Sequence, residues 1–385
     1  MIKNKAYISV FTFLSLGLLG LTFAFMGASL SAMKGFFLID IRRAGMISAI
    51  LQLGFATFCM FGGILADFIR KDRILSLGTF LLGIATMLIG RSGYFGLHLA
   101  IVAVMGVGCG FLFIGSNTLV VDLFSERRGT FLNILHFVFA VGSLVGPLIM
   151  GSLLSRGQRW QIAYRYQGAV SLFIAAVFVT TDVTEWRTVS KKRLLDLLGM
   201  IKGRKFFLLM LTGFFAIGLQ FSVMYLMVIY LQEVKGLSIS YASLALSVFY
   251  ILLGIGRLVC SALVVRVSQW KLILFLLISL LFFLVAGWAA GGSAAAVSFA
   301  LTGLSCSGLM PILLSLTSTV LDSRFRGTAL GFLAMCGGLG GMTITWLATA
   351  LSKHIGFEHG ILLVVVLALF TVLFYVVIYR YLQDK

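Results

Sequence analysis

Asp182–Arg204 reads DVTEWRTVSKKRLLDLLGMIKGR and is the longest polar break in a chain of 385 residues that is otherwise a succession of apolar stretches. With the next residue it carries seven basic side chains: Arg187, Lys191, Lys192, Arg193, Lys202, Arg204 and Lys205. Leu194, Leu197, Leu198 and Ile201 recur within it at helical spacing, which predicts a short amphipathic helix on a membrane surface. The apolar stretches on either side are long enough to cross a hydrocarbon core about 30 Å thick, which takes about 20 residues. Twelve crossings are expected, at 7–32, 44–66, 74–90, 96–121, 130–154, 164–181, 205–230, 242–265, 271–290, 294–320, 328–351 and 360–380. Six precede the break and six follow it. The chain therefore reads as an all-α membrane protein of two pseudo-symmetric six-helix bundles, 1–181 and 205–385, joined by the linker 182–204.

Composition leaves no room for a sizeable soluble domain, with 61% hydrophobic residues, 11% charged residues and a mean hydropathy of +1.11. The net charge of +18 would suit nucleic acid, but its distribution is topological. Of the 30 Lys and Arg, twenty lie at the termini and in the even-numbered breaks, and nine lie on the other side: Lys34, Arg42, Arg43, Arg91, Arg156, Arg159, Arg165, Lys235 and Lys353. The last one, Arg257, falls inside a crossing. By the positive-inside rule both termini are expected in the cytoplasm of a multi-pass inner-membrane protein, with anionic headgroups as lipid partners and no nucleic acid. The five cysteines, Cys59, Cys109, Cys260, Cys306 and Cys336, fall within crossings without metal-ligand spacing and read as packing residues. The first crossing follows Lys3 and Lys5 as a secretory leader would. Its apolar run is too long for one and no small-residue cleavage site precedes the second crossing, so it is expected to be retained.

A shift of 198 residues tests whether the halves are copies. Arg128-Gly129-Thr130 falls on Arg326-Gly327-Thr328, Gly142 on Gly340, and Leu65 on Leu263. Parallel six-crossing repeats place a solute site near the midplane between the halves.

Gly63-Ile64-Leu65-Ala66-Asp67, followed by Arg70, Lys71 and Arg73, resembles the loop signature of the major facilitator superfamily, although Arg70 stands where that family has a later glycine. Gly142-Ser143-Leu144-Val145-Gly146-Pro147 is similar to the same family's glycine-and-proline element on crossing five, where small residues and a kink imply close packing. The resemblance implies a gate built from Gly63, Asp67, Arg70, Lys71, Asp122, Arg128, Gly142, Gly146 and Pro147. Weaker matches are similar to the fucose permease and glucose/hexose branch: Gly115-Ser116-Asn117-Thr118, Leu132-Asn133-Ile134-Leu135-His136, Gly218-Leu219-Gln220 with Tyr230-Leu231, and Gly308-Leu309-Met310-Pro311. That branch has membrane-embedded acids where this chain has Phe113 and Gln220, and all twelve acidic residues here lie in breaks or at crossing ends. His136 is then the obvious titratable group near a cavity, so transport is expected to be facilitative or to use a proton through His136.

Asn117, Asn133, His136, Gln220, Tyr225 and Arg257 are the candidate substrate ligands. Asn133 and His136 are three apart and share a helix face, where they either line a cavity or join helices by hydrogen bonds. Arg257 lies about 13 Å below the end of its crossing at 1.5 Å per residue. It either snorkels to the surface or meets a polar or anionic solute group. Phe23, Phe25, Phe221, Tyr225 and Trp288 are candidate aromatic walls. No catalytic constellation, cofactor motif or metal cluster is seen. The expectation is a monomeric transporter of a small polar solute, first a sugar or polyol and alternatively a small organic anion or drug-like compound for export.

Overall fold

The chain was analysed as a computed structural model, in which residues 5–66, 69–124, 128–180, 203–264, 266–320 and 326–383 are described. Asp67 and nearly all of the 182–204 linker, with its expected amphipathic helix, lie outside the described residues, as do the side chains of Arg128 and Asn133. The described residues form thirteen helices: α1 (Lys5–Phe37), α2 (Ile41–Leu65), α3 (Lys71–Leu88), α4 (Phe95–Leu123), α5 (Arg128–Ser155), α6 (Gln161–Thr180), α7 (Arg204–Glu233), α8 (Ile239–Leu263), α9 (Gln269–Ala289), α10 (Gly292–Cys306), α11 (Leu309–Val320), α12 (Arg326–Ile355) and α13 (Phe357–Gln383). Backbone groups in hydrocarbon must be satisfied within their own segment, which is why every apolar stretch is helical. Eleven segments are long and apolar enough to span, with α10 and α11 counted together as Gly292–Thr317. The third expected crossing, α3, has only 18 residues and opens with Lys71, Asp72 and Arg73.

Most helices run a few residues beyond the expected crossings, because a helix does not stop where the hydrocarbon does. The turns after α1, α3, α5, α7, α9 and α12 all lie at the end opposite the termini, and each uses a left-handed residue: Leu38, Gly90, Gly157, Gly236, Gly292 and Gly356. Gly157 adopts φ +70° without the Cβ clash that Leu38, at φ +51°, has to bear.

Packing repeats with the sequence. α1 lies along α5 as α7 lies along α12, and α2 and α3 both pack on α4 as α8 and α9 both pack on α10. Three further contacts join the first six helices to the rest, α2 with α12, α5 with α8 and α1 with α7, and the first two are equivalent under the same repeat. The glycines paired by the 198-residue shift mark matching places in it. A Cβ on Gly142 would stand 2.1 Å from the Gly17 carbonyl oxygen of α1, and one on Gly340 would stand 1.8 Å from the Phe214 carbonyl oxygen of α7. Gly146 also faces α1, 2.7 Å from the Ala24 Cβ by the same construction. Pro147, within α5, leaves the Ser143 carbonyl without its helical donor.

The tenth crossing departs from the expected single helix 294–320. It breaks at Ser307 and Gly308 between α10 and α11, where Pro311 withholds an amide from the Ser307 carbonyl. The break rests on α8: a Cβ on Gly256 would stand 2.4 Å from the Ser307 Oγ, and Ser307 Oγ lies 3.6 Å from Cys260 Sγ.

Overpacking of this kind costs about 1–3 kcal/mol. Gly142→Ala and Gly340→Ala should each lower the Tm of the detergent-solubilised protein. Gly254→Ala, where nothing lies within 4 Å, should not. Equal Tm values for all three variants would remove the close contacts from the account.

Candidate functional site

The end of the bundle opposite the termini is tied shut between the two sets of helices. Lys34 at the end of α1 pairs with Glu233 at the end of α7 at 2.6 Å, and Lys353 of α12 pairs with Asp40 of the α1–α2 turn at 3.2 Å. Arg42 lies over the Trp346 ring at 5.9 Å. The Arg43 backbone N–H donates to Asp40 Oδ1 at 2.8 Å and holds that carboxyl below the usual carboxylate range; burial opposes the shift and Lys353 adds to it. A carboxyl with a lowered folded pKa stabilises above its unfolded value near 3.9 and loses that contribution as pH falls through the folded value, so this contact persists through the neutral range.

At the termini end, the described ion pairs stay within the first six helices. Arg70 holds Asp72 through Nε at 3.2 Å and Nη2 at 2.7 Å, and Lys71 pairs with Asp122 at the end of α4. The sequence reading assigned no role to Asp72, yet its residue is only 1% exposed, in the first turn of α3, where a carboxylate also suits the helix dipole. Gly63 sits half-buried in the last turn of α2.

Between the two ends an aromatic cluster occupies the middle of the bundle. Phe23 of α1 meets Phe55 of α2, Phe139 of α5 and Phe221 of α7 with ring centroids 5.3, 6.4 and 5.7 Å away. Phe55 continues to Phe113 of α4 at 5.7 Å, and Phe113 lies 6.4 Å from the His136 ring of α5. Two of the expected aromatic walls lie elsewhere. Phe25 points the other way and packs on Tyr164 at 5.4 Å, two residues being about half a helical turn. Trp288 lies at the far end, where its carbonyl accepts from Lys235 Nζ at 2.8 Å.

The polar candidates separate into committed and available groups. Asn117 Nδ2 donates to the Phe113 carbonyl of its own helix at 2.8 Å. Tyr225 is fully buried and its hydroxyl accepts from Gln52 Nε2 of α2 at 2.7 Å, an interhelical bond between the first six helices and the rest. Gln52 itself was missed, since a neutral glutamine within an apolar run carries no periodic signal. Gln220 is half-buried, and among the described residues its Nε2 meets the Met224 sulfur, at 3.9 Å.

Arg257 and His136 come together. Ser247 of α8 donates to the Leu144 carbonyl of α5 at 3.1 Å, and a Cβ on Gly151 would stand 2.8 Å from the Ser243 Cβ. Continuing that antiparallel register brings Arg257 level with His136, and the two are close enough for their charges to interact. Both are half-buried, and Arg257 Nε is buried without a partner among the described residues. The result is a packed aromatic cluster with a guanidinium, an imidazole and one glutamine amide beside it, placed between the helix sets below the ion-paired end.

Two repeated sets of membrane-length helices meet along one central interface. The chain matches the Major Facilitator Superfamily over residues 8–299 and belongs to that family. It is 25% identical over 181 residues to a cis,cis-muconate transport protein of Acinetobacter baylyi, covering 46% of this chain and 43% of that protein. It is 30% identical over 97 residues to sodium-dependent glucose transporter 1 of Rattus norvegicus, covering 25% and 20%. The chain thus spans less than half the length of the curated relatives it matches. Among solved structures, it is similar to a bacterial homolog of the human lysosomal transporter Spinster in an inward-facing, occupied conformation, with TM-score 0.78, 15% identity and 100% and 99% coverage. A D-xylose-proton symporter gives 0.76 at 15% identity with 97% coverage of both chains, and the E. coli fucose:proton symporter gives 0.63 at 17% with 94% and 97%. At these identities the structural likeness concerns the fold. Family and fold are those of membrane transporters rather than enzymes.

Loss of a buried hydrogen-bond partner costs about 1–3 kcal/mol. Tyr225→Phe should therefore lower the Tm, and Gln52→Leu/Tyr225→Phe, which removes both ends of the bond, should recover most of the loss. A double variant as unstable as the sum of the singles would deny the coupling.

Proposed function

We propose that this transporter carries a small organic anion by alternating access, with the acid group of the solute on Arg257 and its body against Phe23, Phe55, Phe113, Phe139 and Phe221. The observation that carries the reading is Arg257, whose buried Nε has no partner among the described residues, level with His136 beside the aromatic cluster. Placing an Arg near the membrane centre costs roughly 2.5–3.5 kcal/mol on insertion scales. A carboxylate on the solute offsets that cost through charge-assisted, bidentate bonds. Two of the neutral candidates that a polyol would use are already engaged, Asn117 on its own helix and Tyr225 with Gln52. The muconate relative supports the same solute class.

A sugar is the second reading. It is favoured by Gln220, whose amide meets a thioether among the described residues, and by the glucose-transporter relative. Under either reading, residues 1–181 and 205–385 act as two bodies joined by 182–204, in a monomer of the inner membrane with cytoplasmic termini. The basic distribution supports that orientation. The pairs Lys34–Glu233 and Lys353–Asp40 then close the outer end, and Gly63, Asp67, Arg70, Lys71, Asp122 and Arg128 form the inner gate. Gly142, Gly146 and Pro147 keep α5 close to α1 as it moves.

Thermal-shift and proteoliposome uptake assays with cis,cis-muconate, benzoate, glucose and xylose test the reading. Carboxylates should raise the Tm of the wild type, and Arg257→Gln should weaken their binding by at least ~30-fold, the equivalent of about 2 kcal/mol for a buried charge pair broken on one side. Stabilisation by sugars alone, with Gln220→Ala as the damaging variant, would establish the second reading instead. Carboxylate affinity unchanged in Arg257→Gln would sink the first.

The closed outer end makes a separate prediction. Lys34 and Glu233 are each about 30% exposed, so the pair contributes less than about 1 kcal/mol. Lys34→Glu should change turnover a few-fold, and Lys34→Glu/Glu233→Lys should restore it. A swap variant no better than the single would leave the pair without a role in the cycle.

A further inference from the structure

The nine basic residues at the end opposite the termini do not share one environment. Lys34 and Lys353 have carboxylate partners, Arg43 lies beside Asp40, Arg42 rests on Trp346, and Lys235 bonds the Trp288 carbonyl beside the Tyr230 ring. The other four, Arg91, Arg156, Arg159 and Arg165, are exposed and have no carboxylate partner among the described residues. Three of these four converge. Arg91, Arg159 and Arg165 line a cleft of about 750 Å³ between the end of α1, the α3–α4 turn and the start of α6, with Phe36, Trp160 and Gln161 among its walls.

The cleft is built rather than incidental. Trp160 is 3% exposed, and its Nε1 is buried without a partner among the described residues. Gly90, at φ +67°, brings the α3–α4 turn so close to that ring that a Cβ there would stand 2.6 Å from it. Gln161 Nε2 reaches the Gly90 carbonyl at 3.4 Å. Three guanidinium groups around one cleft repel one another, and an anion relieves that repulsion. Their planar forks match phosphate oxygens better than any other common anion except carboxylate.

The surroundings say where the anion comes from. Tyr94 and Tyr166 are 73% and 74% exposed, next to the cleft-lining elements, as aromatic residues at headgroup depth are. From Tyr166 the outward face of α6 continues through Val170 and Phe173, at 48% and 63% exposed, toward the middle of the bundle, an apolar track for an acyl chain. Phe36 and Ala32 lie on the face of α1 opposite Lys34, so the cleft opens away from the ion-paired interface between the two helix sets.

We propose that this arginine cleft holds the phosphate of an anionic phospholipid, with an acyl chain along α6. The full-length protein, purified in mild detergent and exposed to phosphatidylglycerol or phosphatidylcholine, should retain phosphatidylglycerol in native mass spectra. The Arg91→Gln/Arg159→Gln/Arg165→Gln variant should retain at least ~10-fold less, while Arg156→Gln, an unpaired arginine outside the cleft, should behave as wild type. Should the triple variant fold poorly, Arg165→Gln alone should still lose several-fold relative to Arg156→Gln. Millimolar inorganic phosphate or glycerol phosphate should not displace the lipid. Equal retention by the cleft variants and wild type would overturn the proposal, as would displacement by free phosphate, which would assign the cleft to a soluble anion.

Discussion

Close approach of helix backbones at glycine is the constraint on which the rest depends. Lipid tails are as apolar as leucine, so helices in a bilayer are not driven together by exclusion of water; they associate where smooth faces allow dense van der Waals contact. Gly142 against α1 and Gly340 against α7 set the innermost helices of each bundle within backbone contact. With those pairs fixed, α2 meets α12, α5 meets α8 and α1 meets α7, the seams along which any relative movement of the bundles must take place. The seams carry few strong bonds. Ser247–Leu144 crosses between α8 and α5, Gln52–Tyr225 ties α2 to α7, and among the described residues the ion pairs between the bundles gather at one end. A seam held by a few weak contacts can be remade in a second arrangement at small net cost, which an alternating carrier requires.

The polar economy of the centre follows from the same solvent. Each buried polar group needs a partner or a function. Thr12, Thr22, Ser29, Thr79, Thr86 and Asn117 return their donors to carbonyls one turn back on their own helices, so they ask nothing of a solute. Arg257 is not satisfied that way, since a guanidinium has five donors and its Nε has no acceptor among the described residues.

The crossings were legible because runs of about 20 apolar residues admit few other readings in water or lipid, and the repeat was legible because Gly142 and Gly340 do the same steric work. The break at Ser307 and Gly308 was not read, although Gly308 and Pro311 stood in view; whether a proline kinks or breaks a helix depends on what packs there, in this case Gly256 and Cys260 of α8. Arg257 stood out as a lone charge in a crossing, but its direction was hidden, because a helix position names a face only once its neighbours are known. Tyr225 looked like a solute ligand for the same reason: its partner, Gln52, lies 173 residues away and leaves no local trace.

The pairing of Arg257 with His136 bears on the working cycle. The two lie on α8 and α5, on opposite sides of one seam, so relative motion of the bundles changes their separation. On the proposed anion reading, a solute carboxylate lodged between the two side chains would add attraction across that seam, and no carboxylate of the described residues around Arg257 competes for the role of counter-ion. Arrival of such a solute would then favour closure of the seam.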